Sequence, residues 1–505
     1  MKNALHIEAQ RLVIQRRLDG SRPQPQRNQL GQFATPAPLA EEILRYARTR
    51  VGKGAVRFLD PAIGTGAFYS ALLRTWPRSR IARATGFEVD PYYGSPCRAL
   101  WSTSPLQLRL EDFTAALPPR RLQERYSLIV CNPPYVRHHH LSPATKQRLQ
   151  QRSMSASGIH LSGRAGLHAH FLTLMDPWMA PGALAGWLIP SEFMDVNYGD
   201  AIKTYLLSRT LLRIHRFQPS DVQFDDALVS SAIVWLRNAR PSARHQVELT
   251  SGGSLSRPER KRRVPASSLS GARKWSAFFY DPPRAESGAT LGDYFHIKRG
   301  VATGANKFFI MSAEQAQMRG IPATYLRSVL PGPRDLEQDE IKADEQGRPI
   351  LQRPLVMLDC PLSCEQIRER HPELWRYLQT DGMQIAQRYL CSRRSPWYSQ
   401  ERRESTFFLC SYVARQNRDG RVQRFIFNQS AAIAANNYLM LYPRESVARF
   451  VNGEAARARL VWSELCRIKP EALRGAGRVY GGGMYKLEPG ELASVAAPGV
   501  AALLS

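Results

Sequence analysis

With 505 residues, the chain is long enough for two or three domains with substantial cores. Its 70 Lys and Arg against 43 Asp and Glu leave a formal charge of +27, which suits a phosphate polymer as partner, since basic side chains gain by displacing condensed counterions. No apolar run is long and uninterrupted enough for a membrane helix. Seven cysteines, odd in number and scattered behind no secretory signal, point to a reduced cytoplasmic setting rather than a disulfide scaffold.

Residues 1–20 read as a basic amphipathic helix, and a polar loop rich in Pro, Gln and Arg follows to residue 29. The hexapeptide GQFATP, Gly31 to Pro36, then leads into a helix from Pro38 to about Thr49. Thr35 is placed as its N-cap, where free N–H groups also make a seat for a carboxylate. Val56 to Leu59 is a short strand running into DPAIGTGAF, residues 60–68, and a helix. Strand, glycine turn and helix form the first unit of a doubly wound sheet. Gly64 and Gly66 let a ligand approach the backbone. The missing third glycine and Walker lysine disfavour dinucleotide and ATP phosphate sites.

Three more strand tips carry polar groups. Ala82 to Phe87 ends in GFEVDP, with Glu88 placed to accept from ribose hydroxyls. Leu106 to Leu110 ends in Glu111-Asp112-Phe113, where a carboxylate can accept from an adenine amino group and Phe113 can pack against the ring. Ser127 to Cys131 stops at Asn132-Pro133-Pro134-Tyr135. Two prolines donate no N–H, so carbonyl oxygens there stay open to a bound donor. With the Asn132 amide oxygen and the Tyr135 ring, this tetrapeptide meets the needs of an exocyclic amine on a planar base: two acceptors and a stacking face. Singly, each tip has a plain structural reading as a cap, a strand-end charge or a turn. In succession they describe a turn, a ribose acceptor, a base acceptor and an amine clamp.

Residues 138–165 read as a long, polar, mobile loop over the site. A helix opens at 166–171, an Ala-Pro-Gly turn occupies 180–182, and buried strands follow at 183–189, 211–217 and 232–236. Phe224, in the polar loop between the last two, is either a core plug or a face for a base. Residues 241–285, with Arg260-Lys261-Arg262-Arg263, read as a basic linker or a phosphate-tracking strap. A second domain fills 286–505 and opens on LGDYFHIKRGVATGANKFFI, where Lys298, Arg299, Asn306 and Lys307 surround a glycine-rich turn. RRSPWYSQERR (393–403) and GRVYGGGMYKL (477–487) interleave basic and aromatic residues, as nucleic-acid contacts do. Neither the cysteines at 360, 364, 391 and 410 nor the run His138 to His140 has a common metal-ligand spacing, and no metal is expected.

In this order, GQFATP, DPAIGTGAF, GFEVDP, EDF, NPPY and the Phe224 loop resemble the motif series of the gamma-class, TaqI-like N6-adenine DNA methyltransferases of restriction-modification systems. RGVATGANKFFI resembles the start of their target-recognition domain. The likeness covers residues 29–236 strongly and 286–505 more loosely. It implies a Rossmann-like class I methyltransferase domain at 29–240, behind an N-terminal helix and basic loop at 1–28. A C-terminal mixed α/β target-recognition domain at 286–505 follows the linker.

The cofactor implied is S-adenosyl-L-methionine, with Thr35 at its carboxylate and Asp60, Pro61, Ala62, Gly64 and Gly66 along its methionine end. Glu88 takes the ribose, Asp112 and Phe113 the adenine, and Leu167 and Phe171 make further apolar contacts. Asn132, Pro133 and Tyr135 grip the target adenine, with Phe224 stacked on it, while Lys298, Arg299, Asn306 and Lys307 touch DNA. The partner implied is double-stranded DNA, bound by a monomer in the cytoplasm, with cleavage left to a separate cognate endonuclease. Three other readings stay open: an RNA adenine methyltransferase, a protein-glutamine methyltransferase, and a non-catalytic DNA-binding specificity subunit with a vestigial cofactor fold.

Overall fold

The apolar runs of the first half become one sheet in the computed structural model, which describes residues 2–217, 230–279, 288–415, 423–480 and 484–505. Its strands are Val56–Asp60 (β1), Ile81–Phe87 (β2), Leu106–Arg109 (β3), Tyr126–Cys131 (β4), Met179–Pro190 (β5), Thr210–Arg216 (β6), Ser231–Arg237 (β7), Gln246–Gly253 (β8) and Pro258–Pro265 (β9). They lie in the order β3-β2-β1-β4-β5-β7-β6-β8-β9. β1 to β5 run parallel, while β7 is antiparallel to both β5 and β6.

Alternation along each central strand explains why both faces are covered. Phe58, Leu128 and Val130 enter one core, and Leu59, Ile129 and Cys131 enter the other. The first core takes Ile43 and Leu44 of a helix at Ala37–Arg50 and Phe68 and Leu72 of a helix at Ala67–Thr75. The second takes Leu172 of the helix Leu167–Leu174 and Ile202 and Leu206 of the helix Gly199–Ser208. Strand order reverses between β1 and β4, the place where open α/β sheets hold ligands. In register, Asp60 lies opposite Gly86 and Leu59 opposite Ile129, so the tips bearing Asp60, Glu88 and Asn132 share one edge of the sheet.

Three stretches differ from their sequence reading. The N-terminal helix is present where residues 1–20 read as one, but it belongs to the first compact unit rather than standing apart from it. This helix, Lys2–Ser21 (α1), is fastened by the Glu8–Arg11 ion pair, in which Arg11 is 1% exposed and donates to Thr65 Oγ1 (3.1 Å) while Ser70 donates to Glu8. A short helix, Gln24–Leu30 (α2), ends at Gly31.

Residues 138–165 are a helix for much of their length, Pro143–Ser157, rather than a loop. Ser142 caps it through Thr145 N–H, Pro143 begins it, and Gly158 ends it in the left-handed region. Its only buried residues are Leu149 and Ser153, so it carries almost no apolar periodicity.

The basic stretch within 241–285 supplies β8 and β9 rather than a linker. β9 is an edge strand, and edge strands tolerate charge on the face left to water. Lys261 pairs with Glu248 at 3.0 Å, and Val264 is buried.

The chain divides into two compact units near residue 282. The second unit is mixed α/β, with a five-stranded, a four-stranded and a three-stranded sheet. In the five-stranded sheet, Phe295–Arg299 pairs antiparallel with Tyr438–Pro443, which in turn pairs with Phe408–Ser411. Among the described residues no helix is long and apolar enough to cross a membrane, and no group of three or more His, Cys, Asp or Glu could hold a metal ion. The seven cysteines are free thiols.

Candidate active site

A pocket of about 780 Å³, counting its open mouth, lies at the strand tips of the first unit. Each wall follows from the local sequence. β1 runs into the glycine turn, where Gly64 and Gly66 have φ of 57° and 95°, conformations that suit glycine. Pro61, Ala62 and Gly64 face the pocket. Asp60 does not. It is 1% exposed beneath the turn and accepts from Ala62 N–H at 3.2 Å. Burial, reinforced by the nearby Glu88 carboxylate, pushes its pKa up to about 8. Gly66 is likewise absent from the wall, since its packing partner is the Trp101 indole.

Glu88, at the tip of β2, lines the pocket and accepts from Gly64 N–H (3.0 Å) and Asp90 N–H (2.8 Å). Burial raises its pKa, while these N–H groups pull it down. Asp112 and Phe113 line the pocket beyond β3. Asp112 accepts from Thr114 N–H at 2.8 Å. Phe113 stands edge-on to Phe87 (5.4 Å between centroids) and tilted against Phe171 (5.3 Å), so three aromatic side chains make an apolar patch. Leu167 is not in the wall. It packs on the core and its N–H is bound to Val136 O.

The fourth tip carries Asn132, whose amide is oriented by the GQFATP loop. Asn132 Nδ2 donates to Phe33 O (2.9 Å) and meets Thr35 Oγ1 at 3.1 Å. Thr35 therefore buttresses Asn132 and caps no helix, because the cap position is taken by Pro36. With its nitrogen so engaged, the amide leaves Oδ1 buried and without a hydrogen-bond partner among the described residues. Asn132 and Pro134 line the pocket. Tyr135 does not offer a face there. Its ring is 7% exposed in the core beside Phe33, and its hydroxyl donates to Leu188 O at 3.1 Å. Burial holds its hydroxyl proton more tightly than usual. Phe224 lies outside the described residues.

Several wall residues escape sequence reasoning. Gln15 and Asp19 come from α1, Leu30 to Ala34 from the end of α2 and the loop after it, and Val89 and Tyr93 follow β2. Gly31 to Ala34 sit inside GQFATP and Val89 inside GFEVDP, where their adjacency to Thr35 and Glu88 is a usable signal.

A family model described as the C-terminal domain of the type II methyltransferase M.Eco57I matches residues 279–504, and one described as the Eco57I restriction-modification methylase matches residues 101–223. Type II methyltransferase M.XamI of Xanthomonas campestris pv. amaranthicola is 28% identical over 481 residues, which cover 93% of this chain and 85% of that protein. M.AccI of Acinetobacter calcoaceticus is 25% identical, covering 92% and 85%. Over most of its length the chain is similar to restriction-modification methyltransferases, which supports reading it as a methyltransferase of that kind. Among solved structures, the type IIL restriction-modification enzyme MmeI in complex with DNA superposes with a TM-score of 0.54 at 12% identity. The match covers 91% of this methyltransferase and 65% of that enzyme, and it shows a shared fold.

S-adenosyl-L-methionine is the cofactor of this methyltransferase, and the pocket fits it. The aromatic patch suits a planar base, Glu88 suits hydroxyl donors, and the glycine turn gives close access to the backbone.

In the second unit, a separate groove of about 1660 Å³, counting open solvent, is lined by His296, Lys298, Arg327, Arg402 and Arg403 among others. Lys298 and Arg402 are exposed and have no carboxylate within ion-pair reach among the described residues. Arg299 instead donates to Asn436 O and lies over the Tyr412 ring. Asn306 Oδ1 accepts from Thr303, and neither Asn306 nor Lys307 lines the groove.

Proposed function

We propose that this methyltransferase acts on double-stranded DNA, moving the methyl group of S-adenosyl-L-methionine to the exocyclic amino nitrogen of an adenine turned out of the helix. The observation that carries this reading is the Asn132 amide oxygen, buried, unpartnered and held in orientation by Phe33 and Thr35. An unpaired buried acceptor is costly, which makes it a good seat for an arriving N–H.

An adenine amine is a weak nucleophile because its lone pair is delocalised into the ring. In this reading Asn132 Oδ1 and the Pro133 carbonyl accept its two N–H groups and draw the nitrogen toward tetrahedral geometry, which localises the lone pair. The cofactor, when bound, supplies a methyl group on a good leaving sulfur. The Phe87, Phe113 and Phe171 patch and Glu88 hold the donor in place, so the chain's share is positioning and electrostatics, with no covalent step on the protein. As the new N–C bond forms the C–S bond would break to leave a neutral thioether, and the surplus proton of the nitrogen would pass to solvent water, with Asn132 Oδ1 and the Pro133 carbonyl accepting the N–H hydrogen bonds until then. Tyr135 braces the loop from below, and the base-stacking face in this reading is Phe224.

Turning the base out costs a few kcal/mol, offset by contacts in the pocket and along the backbone. The charge of +27 and the basic groove of the second unit favour a DNA partner. The biological reading is protection of host DNA, by a monomer in the cytoplasm, against a separate cognate endonuclease.

Asn132→Ala is expected to lower methyl transfer to DNA at least about a hundredfold while leaving cofactor affinity within a few-fold. The assay is incorporation of labelled methyl, with the modified base identified by mass spectrometry. Turnover near wild type, or a methylated cytosine, overturns the proposal.

A further inference from the structure

α1 ends against the pocket, and its last turn carries a carboxylate, Asp19. That is an unfavourable place for a negative charge, because the helix C-terminus is itself the negative end of the backbone dipole. Asp19 is nonetheless held there by several groups, among them the largely buried Arg27 guanidinium, whose Nη1 lies 3.9 Å from Oδ1. Tyr93 OH donates to Oδ1 at 2.9 Å, and Gln15 Nε2 lies 2.9 and 3.0 Å from the two oxygens. Gln15 Oε1 in turn accepts from Thr65 Oγ1 at 2.6 Å, which ties the pair to the glycine turn. Both Gln15 and Asp19 face the pocket.

The helix is braced at both ends of this pair. Below it lies the buried Glu8–Arg11 ion pair, with Arg74 3.7 Å from Glu8. Above it, Tyr92 OH donates to Leu18 O (2.8 Å), and Arg22 meets Asp90 at 2.5 Å while lying over the Tyr92 ring. A side chain so fixed presents its remaining lone pairs to the cavity at little further entropic cost.

The pocket's other carboxylates are accounted for. Glu88 is at the ribose acceptor position, Asp112 stands beside the aromatic patch, and Glu111 is paired with Arg109. Asp60 lies outside the wall, and burial keeps it largely protonated at neutral pH. The methionine moiety of the cofactor brings a cationic α-ammonium group toward the glycine turn, and a charged partner is missing from the motifs that surround that turn. We propose that Asp19, aimed by Gln15 and Tyr93, is a cofactor-binding carboxylate supplied by the N-terminal helix, and that its partner is the α-ammonium of the methionine moiety.

The inference rests on the cofactor assignment, and the two are separable in one experiment. Purified full-length protein is titrated calorimetrically with S-adenosylhomocysteine, which carries the α-ammonium, and with 5′-methylthioadenosine, which lacks it. Wild-type binding of S-adenosylhomocysteine tests the cofactor assignment by itself. Asp19→Asn, isosteric but uncharged, is expected to weaken S-adenosylhomocysteine by at least about tenfold, as loss of a charge-assisted hydrogen bond does, and to leave methylthioadenosine within about twofold. Unchanged binding of both ligands, or an equal loss for both, overturns the proposal, the second because it assigns Asp19 to the ribose or to the fold. If Asp19→Asn does not fold, Gln15→Ala carries the same comparison: a selective loss for S-adenosylhomocysteine supports the inference, and parallel affinities refute it.

Discussion

Thr35 and Asp60 show how far a residue's type can be separated from its use. Thr35 stands one residue before a helix that opens on Pro36, yet its hydroxyl meets the Asn132 amide across 97 positions of sequence. Asp60 has the type and spacing of a ligand-binding carboxylate, but it is buried beneath the turn it begins. Its pKa, raised to about 8, has a measurable consequence. Between about pH 4 and 8 the folded protein holds a proton on Asp60 that the unfolded chain has released. Its contribution to stability is therefore fully present below the unfolded pKa and is lost as pH rises through the folded one. Asp60→Asn cannot titrate, so the variant's melting temperature relative to wild type is expected to rise between about pH 5 and about pH 8.5. A difference that stays constant across that range excludes the buried, protonated carboxyl.

At the scale of elements, the clamp depends on two loops fitted to one another. Gly31, with φ of 66°, ends α2, and a Cβ there would sit 2.3 Å from Tyr135 N, the same N–H that donates to Gly31 O at 3.1 Å. Gly31→Ala meets both a left-handed backbone and a clash with main chain, which a side-chain rotation cannot relieve. It is expected to cost at least about 2 kcal/mol of stability and to lower methyl transfer more than cofactor affinity, because Asn132 is displaced with Tyr135. Denaturant melts and cofactor titration on the same variant check this, and a wild-type melt refutes it. Elements with strong periodicity, such as β1, β4 and the helix from Ala37, were legible from the chain. The helix Pro143–Ser157 and the edge strand β9 were not, because each buries too few side chains to leave a pattern.

For the whole molecule, the excess of basic residues becomes informative once some of it is located. The groove of the second unit gathers His296, Lys298, Arg327, Arg402 and Arg403, and of these Lys298 and Arg402 are exposed without a carboxylate partner among the described residues. Replacing both with Glu is expected to weaken DNA binding by at least about tenfold and to flatten its salt dependence by roughly one unit for each phosphate no longer neutralised. Cofactor affinity is expected to stay unchanged. Fluorescence anisotropy at several salt concentrations reads the effect, and undiminished affinity would remove this groove from the DNA surface. Lys307 is exposed but stands outside the groove wall, and Arg299 is engaged by Asn436 and Tyr412.

The chain by itself determined what short-range physics determines: the alternation that builds a sheet buried on both faces, the glycine turn, and the order of polar tips along one edge. It also carried the tetrapeptide whose chemistry points to an amine. Contacts between residues far apart in sequence were decided only by tertiary structure. These include which way the Asn132 amide faces, the withdrawal of Asp60 and Tyr135 into the core, and the arrival of Gln15 and Asp19 at the pocket wall. Packing and hydrogen-bond satisfaction act between neighbours in space, and no spacing within a motif encodes who those neighbours are.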